Sequence, residues 1–504
     1  MDTAGTGGSG RPNLVVVVLD TLTAEAAGLG GTATPMPTLA GLAERGMWFR
    51  HAVSNAPWTL PAHGSLLTGL LPSEHRMDTS RQFALWEREP GGWGSLASIL
   101  PGSPVSDPGL GTRWLPGLLA AAGYETALVS NNPWVGRLTQ MHHGFHRIRD
   151  TLSVHVARRR DLFRGRPRLR RNARAAYYAY RAVRGHGDLL ARDAMDRIGE
   201  WLAARDRSRP FLLLVNLIEA HAPYLTPEAA RAVREGGAGP VTALRTMRLL
   251  DPRLSIPYNL GGEPRERHAR AVDLGRRLHR HAARYLDGLV RELHELVSAQ
   301  GREAMFCVTS DHGESFGEHG ALQHGFTVDE PALHVPLAVS GAGVPVREVE
   351  ETVDLRRVYA TVLDAAGVAV PEGAAPSLLD PAKVDAVAER ERVALPGWAR
   401  PEWPGIGART PRLRVLYRDP WKLVVEGTTE RLFDLRSDPG EETDRAPSEP
   451  QVAAALGAAL PPWPQEGPLR AAGAGEPPIG NGQVLTEREE EEMVERLSAL
   501  GYLE

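Results

Sequence analysis

The chain reads as an α/β protein built on parallel strands, and three observations point that way. A run from Leu14 to Leu19, opened by Pro12, is too short to cross a membrane and too apolar for a surface strand; it ends at Asp20. A second run, Met305 to Thr309, is followed at once by Asp311-His312-Gly313. Unbroken apolar runs of this length mark strands covered on both faces, as in a parallel sheet flanked by helices. The third observation is that such runs alternate with helical periodicity as far as about Pro371.

The elements follow in order. The glycine-rich start to about Gly10 is expected to be disordered. Met36–Arg45 and Trp114–Ala122 carry helical spacing, Pro101–Gly111 is a Pro/Gly loop, and Glu125–Ser130 and Pro210–Asn216 are apolar enough for strands. Leu274–Ala299 predicts a long amphipathic helix, and His334–Gly341 a late strand. From about Val393 the character changes: RVLYRDPWKLVVEG and TERLFDLRSDPGEETDRA read as a hairpin and turn, and Thr486–Leu500 as a charged tail helix. The expected division is a short disordered start (1–10), a catalytic unit (11–390) and a C-terminal subdomain with tail helix (391–504).

In open α/β sheets the loops beyond the carboxyl ends of the strands form the ligand crevice, so Asp20, Asp311 and His312 are expected to converge there. Thr59 joins them from APWTLPAHGSLLTG, where Pro61 suits the first turn of a helix and puts the threonine at the mouth of a strand-to-helix turn. Thr59 is the candidate nucleophile. Asp20, Asp311, His312 and the threonine oxygen make a mixed oxygen and nitrogen set for one divalent metal ion. That set suits zinc or manganese better than magnesium, and His312 argues against calcium.

These residues carry a resemblance. PNLVVVVLD, TLPAHGSLLTG, EAHAPY, SDHGESFGEHG and LFDLRSDPGEETD, in this order, resemble the sulfatase family of the alkaline phosphatase superfamily, from about Pro12 to the C-terminus. The resemblance implies an alkaline phosphatase-like fold: a mostly parallel central sheet flanked by helices, with a smaller C-terminal α+β subdomain. It also implies roles. His221 matches the histidine of an H-x-P-Y segment, an anion binder or general acid, and His324 falls at a basic substrate-contacting position, with His319 nearby. His63 stands where the family has its motif arginine, and Asn131 where a lysine of a GKWH-like motif falls. Thr21 replaces a second aspartate and is read as structural, its hydroxyl free to cap the next turn.

Sulfatases oxidise a Cys or Ser to formylglycine. Threonine at position 59 would give a ketone instead, and the sole cysteine, Cys307, lies within a strand. An unmodified threonine suits displacement at phosphorus, leaving a phosphothreonine that water opens by a second displacement. The expected substrate is an anionic phosphoric ester, a diester in preference to a monoester because few side chains are placed to match a dianion. A sulfuric ester hydrolase working without formylglycine is the alternative, and a third reading is an inactive protein that binds an anion or a partner.

Composition excludes little else. The net charge of −4 asks for no nucleic acid, a single cysteine rules out an intramolecular disulfide, and no apolar run approaches a membrane span. The first residues lack the basic and apolar regions of a signal peptide, which makes the cytoplasm the default expectation. The oligomeric state is left open. Lysine occurs only at Lys383 and Lys422, a bias of high-GC bacterial coding. From His155 to Arg184 arginines gather with three tyrosines. That insert reads either as a lid or patch for an anionic substrate, acidic lipid or partner, or as a solvated basic helix.

Overall fold

The computed structural model describes residues 10–28, 35–77, 108–137, 139–150, 167–393, 395 and 399–463. The expected disorder before Gly10, the 155–166 part of the arginine-rich insert and the tail helix at 486–500 lie outside these residues.

Eight strands form the main sheet: β1 (Asn13–Leu19), β2 (Gly46–Phe49), β3 (Glu125–Ser130), β4 (Arg147–Asp150), β5 (Phe211–Leu217), β6 (Ala304–Thr309), β7 (Leu337–Gly341) and β8 (Arg347–Val349). They lie in the order β8-β2-β7-β6-β1-β5-β3-β4. The central neighbours β6, β1, β5 and β3 are parallel, as is β4 beside β3, whereas β7 is antiparallel to both β6 and β2. The sheet is thus alkaline phosphatase-like, mixed and mostly parallel, flanked by helices.

Strand β1 shows why. Leu14, Val16 and Val18 enter the core on one face of the sheet, and Val15, Val17 and Leu19 the core on the other. Both faces are dry, and each fully buried Val or Leu contributes about 1.5–3 kcal/mol relative to exposure. On the second face lies the helix Ala269–Ser298, which begins five residues before its predicted start. Its buried Leu278, Ala282, Leu286, Leu289, Leu293 and Val297 recur at helical spacing and form one stripe.

Two elements differ from expectation. The strand predicted over His334–Gly341 divides at Pro336 into His334–Val335 and Leu337–Gly341. Proline has no N–H to continue a ladder. The first piece pairs with Ala52–Val53 and the second joins the main sheet. In the predicted Pro101–Gly111 loop, Pro108–Gly111 forms a helical turn, and 101–107 lies outside the described residues.

The C-terminal subdomain is an antiparallel sheet of β9 (Ala386–Arg390), β10 (Leu413–Arg418), β11 (Trp421–Glu426) and β12 (Thr429–Asp434). Its first strand precedes the expected boundary at 390/391, because Ala386–Arg390 pairs with β10 rather than with the main sheet. The helix Pro450–Ala459 lays Ala453 and Leu456 on Leu416, Leu423 and Leu432. Of the arginine-rich insert, Pro167–Arg184 is helical; it buries Ala175, Ala179 and Ala182 and exposes Tyr177 and Tyr180.

Candidate active site

Four adjacent parallel strands end side by side, and the residues just past their carboxyl ends meet. Asp20 follows β1, Asn131 and Asn132 follow β3, His221 follows β5, and Ser310, Asp311 and His312 follow β6. Thr59 arrives from beside this row as the first residue of the helix Thr59–Thr68. Its hydroxyl therefore lies at the positive end of a helix dipole, where negative charge is favoured.

The hydrogen bonds leave a consistent set of free lone pairs. Asp311 Oδ1 accepts from the backbone N–H of Thr21 at 3.2 Å and of His312 at 3.0 Å. Asp20 Oδ2 accepts from the Asn132 amide at 2.6 Å. The other oxygens, Asp20 Oδ1 and Asp311 Oδ2, are buried and have no hydrogen-bond partner among the described residues. The His312 ring donates through Nδ1 to the Gly313 carbonyl at 2.9 Å, which leaves Nε2 as an acceptor 3.4 Å from Thr59 Oγ1 and 3.6 Å from Asp311 Oδ2. An imidazole fixed by a carbonyl in this way is in the tautomer a metal ligand needs.

The electrostatics agree. Burial pushes the Asp20 carboxyl up, with Asp311 adding to the rise, and burial likewise raises Asp311. Burial, with His324 beside it, pushes His312 down to about 3. Two carboxylates and a neutral imidazole packed without a fixed cation fit a divalent ion, and Asp20, Asp311 and His312 form a candidate metal-binding group on distance alone.

The expected histidines are partly assembled. His221 and His324 meet at 5.0 Å between ring centroids, and His324 and His312 at 4.6 Å. His221 donates through Nδ1 to the Ala222 carbonyl. His324 Nδ1 is held at 2.9 Å by Glu314 Oε1, and the other Glu314 oxygen accepts from Tyr224. Burial raises Glu314 to about 7 and lowers His324 to about 3, so burial disfavours the charged form of both partners.

Other expected positions are used differently. His63, expected to meet the substrate anion, is wholly buried beneath Thr59; Nδ1 donates to the Thr59 carbonyl at 3.0 Å, and Nε2 lies 3.3 Å from the Asn216 amide. The position expected of Asn131 belongs to its neighbour: Asn132 reaches Thr59 Oγ1 at 3.3 Å as well as Asp20. His319 turns away to the Gly440 carbonyl. Thr21 donates its hydroxyl to the Ala220 carbonyl, and the next helix is capped by Thr23 instead.

Sequence reading missed Asn132, Asn216, Glu314 and Tyr224. A signal existed for Asn216, the one polar side chain in an otherwise apolar strand, and for Glu314 in its Asp-His-Gly-Glu run.

A family model described as Sulfatase matches residues 12–368. Human arylsulfatase K is 31% identical over 180 residues, 34% of this chain and 32% of that protein. The Delta 4,5-hexuronate-2-O-sulfatase of Bacteroides thetaiotaomicron is 26% identical over 180 residues, 32% of this chain and 34% of that protein. The match thus spans about a third of the length of these curated relatives. Among solved structures, the phosphonate monoester hydrolase of Agrobacterium radiobacter superposes with a TM-score of 0.63 at 19% identity, over 89% of this chain and 95% of that one. A 2-O GAG sulfatase gives 0.61 at 16%, over 90% and 91%. At these identities the structural likeness is one of fold. The family model covers well over half the sequence: the chain belongs to the sulfatase family of the alkaline phosphatase superfamily.

Proposed function

We propose that the protein is a metal-dependent hydrolase or transferase of phosphoric esters in which Thr59 is the nucleophile. The observation that carries this reading is the position of Thr59 Oγ1, at a helix N-terminus within 3.4 Å of His312 Nε2 and 3.3 Å of Asn132. Asp20, Asp311 and His312 would hold the ion, which when bound supplies positive charge to the substrate oxygen and lowers the threonine pKa. The side chains do the rest. The helix terminus and the Asn132 amide orient the hydroxyl, and Asn132 also fixes Asp20.

Attack of Oγ1 on phosphorus forms a phosphothreonine and expels the alcohol. The departing oxygen would take its proton from the histidine cluster, from His221 or from Glu314, which burial raises to about 7 beside His324. Water attacking phosphorus then frees Thr59; a second alcohol in its place makes the reaction a transfer.

The second reading is sulfuric ester hydrolysis by threonine itself, favoured by the relatives named as sulfatases. Threonine chemistry favours phosphorus, because a sulfated threonine lacks the collapse to an aldehyde that releases sulfate from formylglycine hydrate.

The test uses matched aryl phosphodiester, phosphomonoester and sulfate substrates with metal-loaded protein. Phosphoester turnover that disappears in Thr59→Ala is the expected result. Turnover of sulfate alone overturns the substrate class, and turnover that survives Thr59→Ala overturns the nucleophile.

A further inference from the structure

Away from Asp20 and Asp311, a second group of metal-type side chains gathers where the main sheet meets the C-terminal one. His51 follows β2, Glu330 opens the short helix Glu330–Leu333, and His334 follows that helix directly. His51 and His334 lie 4.5 Å apart between ring centroids, and one donor atom from each of the three residues falls within 4.8 Å of the others.

The partners of these rings settle where their lone pairs point. Thr352 gives its hydroxyl proton to Asp419 Oδ1 and its backbone N–H to Asp419 Oδ2 at 2.8 Å. The Thr352 oxygen therefore accepts at 2.8 Å from Nδ1–H of His51. His51 Nε2 is left as an acceptor, yet it lies 2.7 Å from Glu330 Oε2, another acceptor. At that distance a proton on Nε2 joins the two directly, and a metal ion bound by both atoms would take the place of that proton. His334 repeats the pattern: Nε2–H donates to the Arg50 carbonyl at 3.1 Å, leaving Nδ1 with its lone pair. Burial keeps this ring neutral by lowering it to about 4. Each imidazole is thus oriented by an outer hydrogen bond, as metal-bound histidines are.

Glu330 is anchored from the other side. Its Oε1 accepts from the Tyr417 hydroxyl at 2.8 Å and Lys422 Nζ at 3.0 Å, and Lys422 is itself paired with Glu441 at 2.6 Å. Lys422 is therefore divided between two carboxylates, and Oε2 is the oxygen left toward the histidines. A cavity of about 270 Å³ adjoins the group, reached past Glu330 and His334 and edged by Glu25, Glu318 and Glu442. Arg276 and Arg280 line it too, but each is matched by an acid, Glu318 and Glu25. The cavity can deliver a cation and supply water to complete its coordination.

We propose that His51, Glu330 and His334 form a second divalent-metal site of the zinc type, with water as the remaining ligand. Two imidazoles and one carboxylate are a three-ligand set that zinc takes readily. Because Glu330 also holds Tyr417 and Lys422, an ion there locks β10 and β11 of the C-terminal sheet to the main body.

The test is zinc chloride titration of the chelator-stripped full chain. Wild type is expected to bind two zinc ions, Asp20→Asn/Asp311→Asn one, and the same background with His334→Ala none. Cobalt loaded into Asp20→Asn/Asp311→Asn should give tetrahedral visible bands that disappear with His334→Ala. Glu330→Gln is a second variant that keeps the side-chain shape; checked by circular dichroism, it should lose the same ion while folded. One zinc in wild type and none in Asp20→Asn/Asp311→Asn would overturn the proposal, as would a second ion indifferent to both His334→Ala and Glu330→Gln.

Discussion

Asp311 and Asp354 are both buried carboxylates, and their surroundings answer burial in opposite ways. Asp354 takes Arg356 in a two-point contact, Nε at 3.0 Å and Nη2 at 2.7 Å, with the backbone N–H of Val387 added at 3.1 Å. Burial alone would raise its pKa, but the charge and hydrogen bonds of Arg356 outweigh it and hold the carboxyl below its ordinary range. Asp311 takes two backbone N–H groups on Oδ1 but no guanidinium or ammonium among the described residues; its Oδ2 meets the imidazoles of His63 and His312 at 3.5 and 3.6 Å, and burial pushes the carboxyl up. A carboxylate matched by a fixed guanidinium completes the fold. A pair of carboxylates facing a neutral imidazole leaves free oxygens that a cation can take.

The largest effect that would sharpen this contrast is at Asp311. Asp311→Asn should lower turnover about 10³-fold or more by removing a metal ligand. It should also raise the melting temperature of the metal-free protein, because an uncompensated buried charge is gone. Kinetics and calorimetry on chelated samples check the two halves. A destabilised metal-free variant would break the comparison.

Asp354→Asn is expected to do the reverse. It leaves Arg356 buried without its partner and should cost about 3 kcal/mol in denaturant unfolding, with metal stoichiometry unchanged.

How far these roles could be read in advance depended on the backbone. That Asp20, Thr59, Asp311 and His312 come together was legible because apolar strands and a proline-marked helix start fix where their side chains emerge. The Asn131–Asn132 pair was not, since a turn offers no period and a one-residue offset changes which amide meets Thr59. His319 and His324 share one glycine-rich loop; His319 has a left-handed φ of 46° and its ring goes to Gly440, while His324 joins His221. Nothing in the local residue order distinguishes them. His63 was placed on the right helix, but only the packing reveals that both its nitrogens are engaged below Thr59. In the fold, the β1 and β6 runs were plain, whereas the antiparallel pairing of β7 depends on distant strands.

A smaller effect is expected at Asn132. Asn132→Ala removes the amide shared by Asp20 and Thr59 and should lower kcat roughly tenfold, a loss of one hydrogen bond to a charged group, with zinc still bound. Loss of the ion instead would place Asn132 in metal retention rather than in positioning Thr59.

The smallest effect is in pH dependence, and its sign differs between the two carboxylates. Asp311, with its folded pKa raised, contributes stability that is present below its unfolded value and lost as pH rises through the folded one. Asp354, with its folded pKa lowered, contributes stability present above its unfolded value and lost as pH falls through the folded one. In chelated protein, the advantage of Asp311→Asn over wild type should therefore widen as pH rises above the ordinary carboxylate range, while the deficit of Asp354→Asn stays flat there. Melting curves at matched ionic strength read both trends.

The most direct measurement is rapid quenching of metal-loaded protein during turnover of an aryl phosphodiester, followed by mass spectrometry of the peptide containing Thr59. The account predicts phosphate on Thr59, formed and lost at rates compatible with turnover and absent from Thr59→Ala. Steady turnover in an unmodified protein, with Thr59→Ala equally active, would contradict it.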